Sequence, residues 1–352
     1  MLKTVLKNKN LFCVLSMTLL LHLISTTDLK AQDPQYSQFY AAPLSLNPAF
    51  AGNTQMTRFG LNYRNQWPSI NANFTTYSAY FDHYFDMISS GVGFVITRDQ
   101  EGQVGYRSTS IGAQYAYQLR LSDKWLFRPG VQLGVINTNL DFSRLTFSTS
   151  FDPETQSFPN PSGETLPGNS TFLFDLSVGG ILYSDNFWFG YSNYHLNQPN
   201  QSIAGEESPL SMRHSFHAGY RIMMNTGTGR RGYTKSGDER SITPTVQYKM
   251  QGPFRQLDVG LYSTLEPMVV GLQYRGIPFA SENGGISTSE SLILVLGYSY
   301  EKLSVGYSFD YTLSGLGIRS GGAHEISISY VLSLKDPRRP PADKLRIPCP
   351  KF

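Results

Sequence analysis

Six histidines, one cysteine beyond the N-terminal leader and a few acidic loops are the groups through which this chain could do chemistry. His214 and His217 are the histidines nearest each other. Three positions apart on a strand, they face opposite sides and cannot share a metal without a bulge. His83 follows Asp82 and points away from it for the same reason. His195 and His324 stand near predicted strand ends, where an interfacial role fits better than a catalytic one. The acids of "DPETQ" at Asp152 and "GEES" at Gly205 could meet calcium, but neither has EF-hand spacing, and solvated loop acids fit them better. The chain carries no Ser-His-Asp order around a nucleophile elbow, no glycine-rich phosphate loop after a strand and no cysteine cluster. The expectation is a protein with no catalytic residue, no cofactor and no metal.

Residues 1–31 read as an export signal. Lys3, Lys7 and Lys9 precede an apolar run from Leu11 to Ser25, and Ala31 is a small residue at the cleavage position. The run is shorter than the roughly 20 residues a membrane-spanning helix needs, and His22 interrupts it. The leader holds four lysines and one aspartate, so its removal brings the 29 basic and 26 acidic residues to equality. A chain without net charge has no overall field to attract nucleic acid. Cys13 leaves with the leader, which rules out an internal disulfide; Cys349, between Pro348 and Pro350, reads as an unpaired tail thiol, the alternative being an intermolecular bond.

The elements that must position these residues alternate with period 2. In "LSVGYSFDYTL", Leu303, Val305, Tyr307, Phe309, Tyr311 and Leu313 share one face, and Ser304, Gly306, Ser308, Asp310 and Thr312 share the other. Ile326, Ile328 and Tyr330 oppose Ser327 and Ser329 in the same way. The segment is eleven residues long, within the roughly 9–11 that cross a membrane as a tilted strand. A soluble sandwich also alternates, but its strands average nearer 5–6 residues. About fourteen such segments, starting near Arg58, Thr75, Gly91, Ser108, Trp125, Thr171, Phe187, Met212, Ile242, Arg255, Met268, Leu292, Leu303 and Ala323, give the even number of a transmembrane antiparallel β-barrel. Val305, Tyr307, Phe309, Ile326, Ile328 and Tyr330 are then expected to face lipid.

Connections supply a second signal. Short ones at Ser122–Asp123, Ser184–Asn186, Glu266–Pro267 and Glu301–Lys302 alternate with long ones at 148–170, 197–210 and 276–290. Outer-membrane barrels have short periplasmic turns and long outer loops, so both termini are expected in the periplasm. Asn225–Ser241 breaks the rule, a long stretch on the short-turn side bearing Arg230, Arg231, Lys235 and Arg240. It reads either as a flexible polar insertion or as a periplasmic contact for an acidic partner or cell-wall polymer.

Between the leader and the first strand lies "QDPQYSQFYAAPLSLNPAFAG", residues 32–52. Asp33 is a good N-cap, Pro34 suits a first helical position, and Tyr36, Phe39 and Tyr40 make one helical face until Pro43 ends it. So short a helix is unstable alone and must dock its aromatic face, either in its own lumen as a plug or on a periplasmic partner. Tyr36, Phe39, Tyr40, Leu44, Leu46, Asn47, Pro48 and Phe50 are the candidate contacts. The organisation expected is a signal peptide (1–31), an N-terminal aromatic segment (32–57), a barrel (58–334) and a periplasmic tail (335–352).

With "RFGLNYRNQWPSI" (58–70) and the "CPKF" ending, this N-terminal string resembles the PorP/SprF family of Bacteroidota outer-membrane proteins over essentially the whole mature chain. The resemblance implies a non-enzymatic component of type IX secretion and gliding machinery. It implies as partners outer-membrane lipid, a large secreted surface adhesin, other secretion components and, for some members, a periplasmic peptidoglycan-binding lipoprotein. The competing expectation is a small-solute channel whose lumen is lined by Arg120, Asp175, Asp258 and Asp310.

Overall fold

The computed structural model describes residues 33–70, 74–102, 105–141, 169–203, 207–224, 240–277, 291–313, 317–332 and 347–350. The leader, most of the basic connection (225–239), the "DPETQ" acids, Gly205 and the middles of the long connections 148–170 and 276–290 lie outside the described residues.

Among the described residues fourteen strands form one antiparallel sheet. They are β1 (Thr57–Gln66), β2 (Phe74–Phe85), β3 (Ser90–Glu101), β4 (Tyr106–Tyr117), β5 (Leu126–Leu140), β6 (Ser170–Tyr183) and β7 (Phe187–Tyr194). There follow β8 (Arg213–Tyr220), β9 (Arg240–Gln251), β10 (Phe254–Leu265), β11 (Met268–Arg275), β12 (Ser291–Tyr300), β13 (Leu303–Thr312) and β14 (Ala323–Leu332). Leu119–Arg120 and Ile222–Met223 continue β4 and β8 past single-residue breaks. Each strand starts within two residues of the position expected from alternation. β1 pairs with β14 from Thr57↔Leu332 to Gln66↔Ala323, which closes the barrel and leaves no edge along that seam.

Closure explains the alternation. Outward residues are apolar: Val305, Tyr307, Ile326, Ile328 and Tyr330 are 39–44% exposed, and Phe309 is half-buried on the same face beside His324. Exposed aromatics stand at the short-turn end (Phe85, Tyr117, Trp125, Tyr220, Tyr298, Tyr300) and aliphatics between (Leu133, Val270, Leu272, Leu294), the arrangement of an interfacial girdle flanking an apolar band.

The interior is packed. A continuous buried cluster joins Phe39, Tyr40, Leu44, Leu46 and Phe50 of the N-terminal segment to Leu126, Ile181, Tyr183 and Trp188 on one wall and to Tyr262, Val269, Ile293 and Val295 on the other. Burying each large apolar side chain contributes roughly 1.5–3 kcal/mol.

Two expectations are corrected. The N-terminal helix does not run from Pro34 to Ala42; the helical turn is α1 (Pro43–Leu46), with Pro43 opening it. Asp33 caps nothing because its carboxylate is held by the wall, and the amides of Ser37 and Gln38 are taken by Glu325 rather than by a helix. The tail is not wholly outside: Ile347 is 4% exposed within the lumenal cluster, where apolar wall residues cover it. At the same end as the long connections β9 and β10 are joined by Gly252 and Pro253 alone, Gly252 taking the positive φ the turn requires.

Candidate functional site

The site is the lumen and the segment that fills it. The segment runs from Asp33, at the end of the barrel carrying the long connections, to Gly52, at the end carrying the short turns. Asp33 meets His195, just beyond β7, Arg213 at the start of β8 and Gln251 at the end of β9. Gly52 donates its N–H to Asp82 on β2 at 2.8 Å, beside the 86–89 turn.

An irregular chain inside a barrel must find partners for its backbone, because neither a helix nor water satisfies it there. Wall side chains do so residue by residue. The Glu325 carboxylate accepts from the amides of Ser37 (2.7 Å) and Gln38 (3.1 Å), and the Ser37 and Tyr36 carbonyls accept from Gln273 (3.1 Å) and Arg275 (3.2 Å). The Leu44 carbonyl accepts from Gln114 (2.7 Å) and Tyr194 (2.9 Å), and that of Leu46 from Ser192 (2.8 Å). Arg128 donates to the carbonyls of both Ala49 and Ala51.

"NPAFAG" is the tightest part. Asn47 uses its side-chain oxygen to accept the Ala49 amide (2.9 Å) and cap the 3-10 turn Pro48–Phe50, while its amide group donates to the carbonyls of Tyr191 (3.0 Å) and Gly180 (3.3 Å). Phe50 stacks on the His217 ring at 5.5 Å. The backbone here lies directly on β3, β5 and β6. Any side chain at Gly91, Gly130 or Gly179 would collide with Ala51, Ala49 or Asn47 respectively, so these walls require glycine for the close approach.

Toward the long-connection end the lumen carries charge. Arg64 on β1 pairs with Asp310 (2.8 Å) on β13 and Glu325 (3.2 Å) on β14; Arg275 on β11 pairs with Asp258 (2.8 Å) on β10 and Asp310 (3.1 Å). Ser37 enters this network, its hydroxyl donating to Asp310 at 2.6 Å. Four strands, β1, β11, β13 and β14, thus hold Ser37 directly.

At the tip, His195 bridges Asp33 (2.8 Å) and Asp175 on β6 (2.8 Å), and Arg213 holds Asp33 at 2.8 Å while lying 4.2 Å over the Tyr194 ring. Burial by itself would disfavour the charge on His195, but the two carboxylates, Asp33 foremost, raise its pKa to about 9. Burial opposes the Asp33 carboxylate too, and His195 and Arg213 outweigh it, holding Asp33 well below the usual carboxylate range. Both groups are charged at neutral pH, and the contact is an ionic latch. A polar cavity of about 110 Å³ adjoins it, lined in part by Tyr36, Asp99, Asp175 and His195. This is well under the roughly 300 Å³ of the smallest ordinary small-molecule sites.

The candidate residues from sequence are thus brought together in part. Tyr36, Phe39, Tyr40, Leu44, Leu46, Asn47, Pro48 and Phe50 are all buried in the lumen. Asp175, Asp258 and Asp310 face the lumen but are engaged in ion pairs; Arg120 stands at the short-turn rim, exposed and paired with Asp123 at 3.2 Å. Arg240 is exposed where β9 begins, and Arg230, Arg231 and Lys235 lie outside the described residues. His214 and His217 face opposite sides, and His324 packs on Tyr307 and Phe309 of the outer face. His195 does not sit at the interface; the irregular chain it joins draws it inward. Sequence alone missed Arg64, Arg128, Arg275 and Glu325, and the one signal for them is that large charged residues occupy faces otherwise small and polar.

The type IX secretion system membrane protein PorP/SprF family model matches residues 28–330. A search of curated proteins gives no match. Among solved structures, the P. putida toluene transporter TodX is similar at TM-score 0.46 and 8% identity, covering 82% of this chain and 93% of that one. A deltaS2 mutant of the TodX monoaromatic hydrocarbon channel gives 0.45 and 11%, covering 84% and 94%, and KdgM porin gives 0.32 and 9%, covering 77% and 98%. What those proteins carry is a property of those proteins. With the closed barrel, its apolar outer face and this family match over most of its length, the chain belongs to the PorP/SprF family of type IX secretion system membrane proteins and is a β-barrel of the outer membrane.

Proposed function

We propose that this barrel is a non-enzymatic scaffold of the secretion machinery that supports export or surface retention of a large adhesin-type protein. The observation that carries the reading is the filled lumen. A segment hydrogen-bonded to the wall from Glu325 at one end to Asp82 at the other, and packed in a buried cluster between them, fills the lumen among the described residues, which supports a barrel that works through its two ends. On this reading the long connections face outward and meet the exported protein. The short turns, with the basic stretch containing Arg230, Arg231, Lys235 and Arg240, face the periplasm and its partners, among them a peptidoglycan-binding lipoprotein and other secretion components. Signal cleavage near Ala31 delivers the chain to that membrane.

The rival, a channel for small solutes, needs free lumenal charges, and Asp175, Asp258 and Asp310 are each neutralised by a histidine or an arginine. Purification from native membranes in mild detergent separates the two. Recovery with a large surface protein is the expected result. Recovery of the barrel alone, with solute-specific conductance in planar bilayers, overturns the proposal in favour of the channel.

A further inference from the structure

We propose that the short-turn half of the lumen, between the N-terminal segment and the inner face of β10–β12, is a binding site for a short extended peptide with an aliphatic residue beside proline, occupied here in cis by the chain's own Ile347–Pro350.

The wall argues for such a ligand. A water-filled barrel has a polar interior. Here Tyr262 and Val295 point inward with 0% exposure and Val269 with 4%, and Ile293 does so nearer the long-connection end. Residues 47–51 of the N-terminal segment rest on the opposite wall, on the glycines of β3, β5 and β6; toward β10–β12 the segment presents the Tyr36 and Ser37 carbonyls, held by Arg275 and Gln273 of β11, and the Tyr40 ring, whose centroid is 6.3 Å from that of Tyr262. Apolar wall left uncovered in a lumen would be wetted at the cost of its burial free energy.

Ile347 supplies the cover. It belongs to the same buried cluster as Tyr40, Tyr262, Val269, Ile293 and Val295, and Cys349 packs against that cluster. The Cys349 thiol lies within electrostatic range of the Tyr40 hydroxyl and of Arg58, which sits near the start of β1 and so marks the short-turn end. Proline suits the position. Pro348 and Pro350 bring no N–H groups that an apolar wall would leave unsatisfied, and they restrict the free peptide to extended forms, lowering the entropy lost on entry.

The N-terminal segment carries ion pairs and side-chain bonds to its backbone along its length, and Ile347 of the tail lies in the apolar cluster while the chain itself tethers it to β14. A tether gives a weak ligand a high effective concentration without strong contacts. Once vacated, the site accepts a peptide of the same chemistry supplied in trans.

The test uses the folded barrel in detergent with Cys349→Ser throughout. Val269→Cys, on the covered wall, is treated with a water-soluble maleimide. Labelling is expected to be at least tenfold faster in a variant lacking residues 346–352 than in the full-length chain. Ile347→Glu in the full-length chain gives the same acceleration and covers the case in which the truncation fails to fold. A fluorescent nonapeptide with the sequence of residues 344–352, its cysteine replaced by serine, should bind the tail-less barrel saturably by anisotropy and the full-length barrel at least tenfold more weakly. The same peptide with Ile347→Glu should not bind. Equal labelling of Val269→Cys with and without the tail, or absence of saturable binding, overturns the proposal. None of these readouts depends on which protein the barrel helps to secrete.

Discussion

Replacing Asp33 with asparagine should loosen the N-terminal half of the segment, by an amount whose order of magnitude follows from the raised pKa of His195. The His195 pKa rises from 6.5 to about 9 against a burial effect that opposes it, with Asp33 the larger and Asp175 the smaller favourable partner. At about 1.4 kcal/mol per pH unit, the net preference for the charged histidine, after burial has opposed it, is about 3 kcal/mol. Asp33→Asn removes the larger share, about 2 kcal/mol, or roughly 30-fold in the equilibrium for release. The sign with pH follows from which state holds the proton. A raised histidine pKa contributes fully below pH 6.5 and is lost as pH climbs through about 9. The depressed Asp33 contributes above its ordinary range and fails only in strong acid. Ala42 is 1% exposed and lies between the latch and "NPAFAG", so Ala42→Cys, with Cys349→Ser, reports release by its rate of labelling with a polar maleimide. Taking the ratio of Asp33→Asn to the parent at each pH cancels the reagent's own pH dependence. The ratio should be on the order of 30 at pH 7 and fall as pH passes 9. A ratio within twofold of unity at pH 7, or one that stays level to pH 10, refutes the latch.

Gly130→Val should force the Ala49 backbone off β5 and cost about 1–3 kcal/mol as an overpacked contact, read as a lower urea midpoint in lipid vesicles. Ile328→Arg places a charge midway along β14 on the outer face and should cost about 2–4 kcal/mol in the same assay, and a neutral effect would mean that face meets water. Arg64→Ala leaves Glu325 and Asp310 short of a partner in the interior. A loss of about 3–5 kcal/mol is expected, with Glu325→Gln in the Arg64→Ala background restoring part of it.

The wall was legible in the sequence because period-2 alternation is a local property: "LSVGYSFDYTL" separates its faces without reference to any other strand. The lumen was not, because it is made by closure. Arg64 and Glu325 are paired register neighbours on β1 and β14, yet 261 residues apart in the chain, and each alone reads as one more polar residue on an inward face. The conformation of residues 33–42 was misread for the same reason. Tyr36, Phe39 and Tyr40 have helical spacing, but Glu325 takes the Ser37 and Gln38 amides and the wall decides the backbone. A signal of the packed interior was present in "MVVGL" (268–272) and "SLILVLG" (291–297), where alternation gives way to continuous apolar runs. Val269, Ile293 and Val295 face inward there while Leu272, Leu294 and Leu296 face out, and a strand apolar on both faces is one packed on both.

That the lumen is shut by the chain's own segment is tested most directly by single-channel recording of the full-length barrel in planar bilayers. The parent should show no sustained conductance, and a variant lacking residues 32–49 should open large, long-lived channels. Steady porin-like current through the unmodified barrel would contradict the account, because Phe50, Tyr40 and Arg128 could not then sit where the structure puts them.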